Sequence, residues 1–172
     1  MVLFEDEASL SNTAGVSYAW SEKGKQPKVF QSQRKRERRT LFGAVNPHSG
    51  ELIVDTAESG TTKTFFSFLV KCVRAFTGKK IYMVLDNVRF HHAKRLKPVL
   101  ERYRESIELI FLPSYSPDLN PIERVWWLIR KQVTHNRWVK SMEQRLIDFH
   151  EWHEHTSGQQ IMSVCNLIEN IY

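Results

Sequence analysis

The chain has 172 residues, about one domain's worth, and its 41% hydrophobic and 12% aromatic content suffices for a proper core. A disordered tail and a disulfide mini-protein are both excluded. Lys and Arg number 25 against 19 for Asp and Glu, and the resulting net charge of +6 with a pI near 9.4 suits a polyanionic partner such as nucleic acid.

No apolar run approaches the roughly 20 residues that span a bilayer, and Glu5, Asp6 and Glu7 make the start acidic where a signal peptide is basic. A soluble, intracellular protein with no membrane partner is expected. Cys72 and Cys165 are far apart and form no C-x-x-C pair, so buried free thiols are expected in place of a zinc knuckle or a disulfide.

Residues 2–4 are a short apolar run that reads as a strand ending at the three acids. Residues 11–27 are rich in Ser and Gly and read as a loop, with at most a short strand around Tyr18 and Trp20. The stretch with Arg34, Lys35, Arg36, Arg38 and Arg39 around Glu37 is either a solvated loop or a phosphate-binding stripe. Residues 41–45 and 52–54 flank Asn46-Pro47-His48-Ser49-Gly50, which predicts a β-hairpin.

Phe65, Leu69, Cys72 and Phe76 recur at helical spacing over residues 62–76, with Gly78 where a helix stop belongs. Residues 81–85 are apolar throughout, as for a central strand covered on both faces, and end at Asp86. A helix is predicted over residues 91–104, a strand over 107–112, and a Pro-rich loop over 113–121. Another helix runs to about His135 with Ile122, Trp126, Ile129 and Val133 as its core stripe, and residues 140–155 form one more. The order predicts one α/β domain, a mixed five-stranded sheet flanked by helices. Right-handed crossovers allow a topology in which the first strand lies parallel to the 81–85 strand, with binding sites at the carboxyl ends.

Asp6 and Asp86 would then meet at neighbouring strand ends about 4.8 Å apart. Glu123, in the first turn of the helix after Asn120-Pro121, could be aimed back at them. Clustered carboxylates repel unless a cation or proton intervenes, and all-oxygen ligation suits Mg²⁺ or Mn²⁺. Each acid also has a plainer reading: a solvated strand end for Asp6, turn chemistry for Asp86-Asn87, and an N-x-x-E capping box for Glu123.

The segment Ser114-Tyr115-Ser116-Pro117-Asp118-Leu119-Asn120-Pro121-Ile122-Glu123-Arg124-Val125-Trp126 resembles the third-acid motif of DDE transposases of the mariner-like superfamily, especially its bacterial insertion-sequence branch. Leu3-Phe4-Glu5-Asp6-Glu7 looks like the family's first-acid strand, and Val84-Leu85-Asp86-Asn87 followed by His91 or His92 looks like its second. The stretch W-S-E-K-G-K-Q-P in the first loop also resembles a family feature, and the likeness extends over about residues 1 to 170.

The resemblance implies a ribonuclease H-like fold in which Asp6, Asp86 and Glu123 bind two Mg²⁺ ions, with Mn²⁺ as a substitute. It implies hydrolytic cleavage at mobile-element ends, followed by attack of the freed 3′-hydroxyl on target DNA, typically at TA. It further implies a homodimer in the synaptic complex and a cytoplasmic, nucleoid-associated location in a bacterium. Members carry N-terminal helix-turn-helix domains that read the element ends. Here the chain opens on the first catalytic strand, so residues 1–172 are expected to be the catalytic domain alone, with any such half encoded upstream.

Further candidate DNA contacts are His91 and His92 after the second acid, Lys94, Arg95 and Lys97 beyond them, and Trp127 with Arg130 on the Glu123 face of its helix. His150-Glu151-Trp152-His153-Glu154 misses the H-E-x-x-H zinc pattern. A catalytically silent DNA-binding remnant of a mobile element and another ribonuclease H-like nuclease are the alternative readings.

Overall fold

A computed structural model of the chain describes residues 1–30, 35–114 and 116–165. Strand β1 (Val2–Ser11) runs well past the acids at which its apolar start suggested an end. The extension has a partner: β2 (Arg38–Val45) pairs antiparallel with it from Phe4↔Val45 to Ser11↔Arg38. On its other side β1 pairs in parallel with β4 (Ile81–Leu85), and this pairing stops at Phe4↔Val84. Asp6 therefore lies just past the point where β1 and β4 part, while still held in the ladder by β2.

With β3 (Leu52–Ala57) and β5 (Ile107–Phe111), the five described strands form one mixed sheet in the order β3-β2-β1-β4-β5. The predicted hairpin is β2–β3. Asn46 accepts at its side chain from the His48 amide, and Gly50 closes the turn at φ +72. Among the described residues no helix is long and apolar enough to cross a membrane.

Two cores flank the sheet, because alternate strand residues point to opposite faces. On one face α1 (Thr62–Ala75) buries Phe65, Phe68, Leu69 and Cys72 against Leu3, Phe42, Met83 and Leu85. Each large side chain contributes roughly 2 kcal/mol through burial. Thr61 and Thr64 form a reciprocal capping box at the start of α1, and Gly78 at φ +83 follows its end, as the sequence predicted. On the other face α3 (Ile122–Ile129), α4 (Met142–His155) and α5 (Gly158–Cys165) bury Leu10, Leu41, Val45, Trp126, Phe149 and Ile161. The predicted stripe Ile122, Trp126, Ile129 and Val133 is buried throughout, and α3 continues into a π-helical turn over Arg130–Thr134. Cys72 and Cys165 are buried free thiols.

Two expectations are corrected. Strand β4 is covered on one face only: Ile81, Met83 and Leu85 are buried, but Tyr82 is exposed, because the α3 layer packs over β1 and β2. The helix expected over residues 91–104 is broken into 3₁₀ turns at Arg89–His92 and Lys94–Leu96 and a short α2 (Lys97–Arg102). Ala93 is extended at ψ 131, and Pro98 has no amide to bond the Lys94 carbonyl, which accepts from the Lys97 amide in a tighter turn instead.

The hairpin turn also anchors α5. A Cβ on Gly50 would lie 1.9 Å from the Gly158 carbonyl oxygen, and its positive φ strains any other residue. Gly50→Ala should cost about 2 kcal/mol or more in urea unfolding. Gly158→Ala, whose Cβ comes no nearer than 3.3 Å to Ser49, should cost less.

Candidate active site

The strand alternation that builds the two cores also sorts the three consecutive acids. Phe4, Ala8 and Leu10 belong to the α3 face and Leu3 to the α1 face, so Asp6 projects toward α3 while Glu5 and Glu7 project toward α1. Asp86 leaves the end of β4, where its Oδ1 accepts from the Val88 amide at 2.9 Å. Glu123 occupies the first turn of α3. Asp6, Asp86 and Glu123 line one cavity of about 390 Å³, together with Asn87, Asn120, Leu112, Pro113, Ser114, Ser116 and Pro117.

Hydrogen bonds fix the three segments to one another. The Asn120 side chain donates to the Glu5 carbonyl at 2.8 Å, tying the start of α3 to β1, and Asn87 donates to the Leu112 carbonyl. The Asn120 amide bonds the Pro117 carbonyl at 2.9 Å, so the capping-box reading of Glu123 does not hold. The Trp126 indole N–H donates to Asp6 Oδ2 at 2.9 Å. Burial, with Glu123 and Glu7 adding repulsion, pushes Asp6 from an ordinary 3.8 up to about 7, although the Glu7 amide and the Trp126 indole favour its charged form. This is a carboxylate short of positive charge.

Behind the cavity lies a second group that sequence reasoning did not find. Glu5 is fully buried with neither carboxylate oxygen hydrogen-bonded, and burial plus the charges of Glu7, Asp6 and Asp86 hold its carboxyl well above the ordinary range. His91 Nε2 lies 3.1 Å from Glu7 and 3.9 Å from Glu5, and Nδ1 lies 3.2 Å from the Asp86 carbonyl, against Phe65. Burial opposes the imidazolium, but the Glu7 hydrogen bond and charge and Asp86 outweigh it and raise His91 above its usual value. The ligand atoms of Glu5, Glu7 and His91 fall within 4.8 Å of one another. With burial favouring the neutral form of Glu5 and His91 engaged on both nitrogens, the group serves as a hydrogen-bonded support under Asp86.

The expectation that His91 contacts DNA is corrected, since it is buried and turned inward. A glutamate directly after the first aspartate, and so on the face opposite to it, was the available signal. His92 is exposed and stacks on Phe111 at 4.3 Å. Lys94, Arg95 and Lys97 are exposed beyond Asp86. Trp127 is exposed beneath the Lys131 ammonium, and with Arg124 and Arg130 it lines a hollow that shares Glu123 and Asn120 with the acidic cavity. Lys35, Arg36 and Arg38 are exposed and Arg39 is half-buried, but Arg39 pairs with Leu10, about 13 Å along β1 from Asp6. The structure therefore does not bring that basic stretch to the acids, and Arg34 lies outside the described residues.

The architecture, a five-stranded mixed sheet with acids where parallel neighbours part, is ribonuclease H-like, and solved structures bear this out. The catalytic domain of Mos1 mariner transposase superposes with a TM-score of 0.68 at 15% identity, covering 98% of this chain and 77% of that one. The Mos1 transposase paired-end complex with left transposon end gives a TM-score of 0.74 at 17% identity, over 98% and 52% of the two chains. The model of the DDE superfamily endonucleases matches residues 1–145, a span that includes all three acids, and the chain belongs to that family.

Similar sequences include the insertion element IS630 uncharacterized 39 kDa protein of Shigella sonnei, 26% identical over 84% of this chain and 42% of its own length. The transposable element Tc3 transposase of Caenorhabditis elegans is 25% identical over 86% of this chain and 47% of its length. The chain thus spans less than half of these two relatives.

Folded Asp6 keeps its proton to about pH 7, whereas the unfolded side chain releases it near 3.8. Between those values the folded state binds more protons, so raising the pH through the window removes stability. Glu5 and His91, both raised, act in the same direction. Calorimetry of chelator-treated protein should give a higher melting temperature at about pH 5.5 than at about pH 7.5, and Asp6→Asn should shrink that difference.

Proposed function

We propose that this chain is the catalytic domain of a DNA transposase, using Asp6, Asp86 and Glu123 to bind divalent cations for phosphoryl transfer. The observation that carries the reading is the convergence of those three carboxylates, from segments far apart in sequence, into one cavity where Asp6 is held near 7 for want of positive charge. Hard oxygen donors with uncompensated repulsion fit Mg²⁺ or Mn²⁺. Asp6, Asp86 and Glu123 would hold two such ions, which would supply Lewis-acid activation of the nucleophile and neutralisation of the leaving oxygen.

The chain's own residues set the geometry. Asp6 is fixed within β1 just past its parting from β4, Asp86 follows the end of β4, and Glu123 is supplied by a helix start pinned to β1 through Asn120. His91 supports Asp86 from beneath. Arg124, Trp127 and Arg130, in the hollow adjoining the cavity, and the exposed Lys131, His92, Lys94, Arg95 and Lys97 offer groups to a DNA backbone. Water and a freed 3′-hydroxyl would act in turn as nucleophiles, first cleaving an element end and then joining it to target DNA at TA.

The structural relatives support the partners. Mos1 paired-end complexes have been solved with Mg and with Mn, and strand-transfer and pre-cleavage assemblies of Mos1 are known. That likeness supports a homodimer pairing two DNA ends. The reading also takes residues 1–172 as one catalytic unit and assigns end recognition to a helix-turn-helix half, both on the family resemblance of the sequence. A bacterial, nucleoid-associated setting is part of the proposal, and the insertion-element relative is in keeping with it.

Nicking of supercoiled plasmid tests this reading. The wild-type chain should nick with Mg²⁺ or Mn²⁺ and not with EDTA. Asp86→Asn and Glu123→Gln should each lose roughly 100- to 1,000-fold in rate while still binding DNA with a steep salt dependence. Wild-type DNA binding without nicking in either metal would instead favour the silent remnant.

A further inference from the structure

Trp126 fills a core position, yet packing alone needs neither its N–H nor the bare backbone facing it. The indole is 2% exposed and sends its N–H to Asp6 Oδ2 at 2.9 Å. It reaches that oxygen by lying flat over β2 at Gly43, the residue directly opposite Asp6 in the β1–β2 register. A Cβ at Gly43 would stand 2.4 Å from Trp126 Cη2, 2.8 Å from Cζ2 and 2.9 Å from Ile122 Cδ1. Gly43 is not among the glycines with positive φ, so what it contributes is space for the ring.

We propose that Trp126 is a positioning residue for Asp6: its indole N–H holds the carboxylate in the orientation that receives a divalent cation, and Gly43 is the notch that admits the ring. The inference rests on the assignment of Asp6, Asp86 and Glu123 as cation ligands. Trp126 lies one helical turn after Glu123 on α3, so a single side chain sets both the rotamer of the first acid and the distance of the third acid's helix from β1. A carboxylate with one oxygen committed to a fixed ring donor cannot swing toward the Glu7 side or into the sheet. Outer-shell donors of this kind orient metal ligands, and their loss typically weakens metal binding 10- to 100-fold.

The test is Mn²⁺ affinity of the full chain without DNA, read from the loss of the free-ion electron paramagnetic resonance signal, beside thermal melting. Trp126→Phe removes the N–H. Replacing Trp126 with 3-benzothienylalanine keeps the bicyclic shape and puts sulfur where the N–H was, so it reports even where Trp126→Phe fails to fold. The benzothienyl protein should melt cooperatively and bind Mn²⁺ about tenfold more weakly or worse, with nicking recovering at raised Mn²⁺. Gly43→Ala should weaken Mn²⁺ binding in the same way by displacing the ring.

Benzothienyl protein that binds Mn²⁺ as tightly as wild type overturns the positioning role while leaving the three-acid reading intact. Wild-type protein that binds no Mn²⁺ overturns that reading and this inference together.

Discussion

Asp6 and Asp86 stand where two parallel strands separate, and Glu123 is brought into the same cavity from the covering helix layer, so three carboxyl groups that repel when ionised share one cavity. At short range and an effective dielectric near 20, each such pair repels by about 1 to 4 kcal/mol. A fold selected for stability alone would disperse them. Much of the local structure consists of devices that keep them together: Asn120 on the Glu5 carbonyl, Trp126 on Asp6, the Val88 amide on Asp86, and His91 bridging Glu7 to the Asp86 backbone. The strain is electrostatic, and it is the kind that a bound cation relieves.

The frame that resists this repulsion is anchored away from the cavity. Arg145 is fully buried on α4 and donates to the Ser11 carbonyl at 3.1 Å, to the Arg137 carbonyl at 2.6 Å and to the Val133 carbonyl. It therefore joins the far end of β1 to the π-helical turn that ends α3. Burial lowers the pKa of its guanidinium, but the three carbonyls satisfy its donors, which is the condition for placing a charge there at all. The two elements that carry Asp6 and Glu123 are tied at both ends, by Asn120 and Trp126 near the acids and by Arg145 beyond them.

The sequence made the site more legible than the surfaces around it. Strand β4 follows its apolar run residue for residue, the hairpin follows its turn signal, and α1 follows its apolar spacing and the stop at Gly78. Adjacency of β1 and β4, a consequence of few allowed topologies, is what brings Asp6 to Asp86. What the sequence could not yield depends on neighbours. The length of β1 is set by β2, whose partner strand is distant in sequence, and the one-sided burial of β4 is set by how far the α3 layer extends. The break at Ala93 was signalled by Pro98, but the apolar spacing of Leu96, Val99 and Leu100 outweighed that signal. Trp126 satisfied the core stripe so well that its polar edge went unread.

The run Glu5-Asp6-Glu7 shows why spacing alone is a poor guide to a carboxylate's task. All three are acids in one strand, yet period-two alternation gives the cavity only the middle one. Glu5 faces the α1 core without a hydrogen bond, and burial together with the neighbouring acids raises its carboxyl well above the ordinary range, which disfavours a second charge beside Asp6. Glu7 faces the same side but meets His91, and through it supports the strand end that carries Asp86. Exchanging Glu7 with Ala8 would leave composition and net charge unchanged while moving a carboxylate from one face of the sheet to the other. Function here therefore depends on the β1–β2 register, which sets Asp6 opposite Gly43 and under the indole, as much as on the acids themselves.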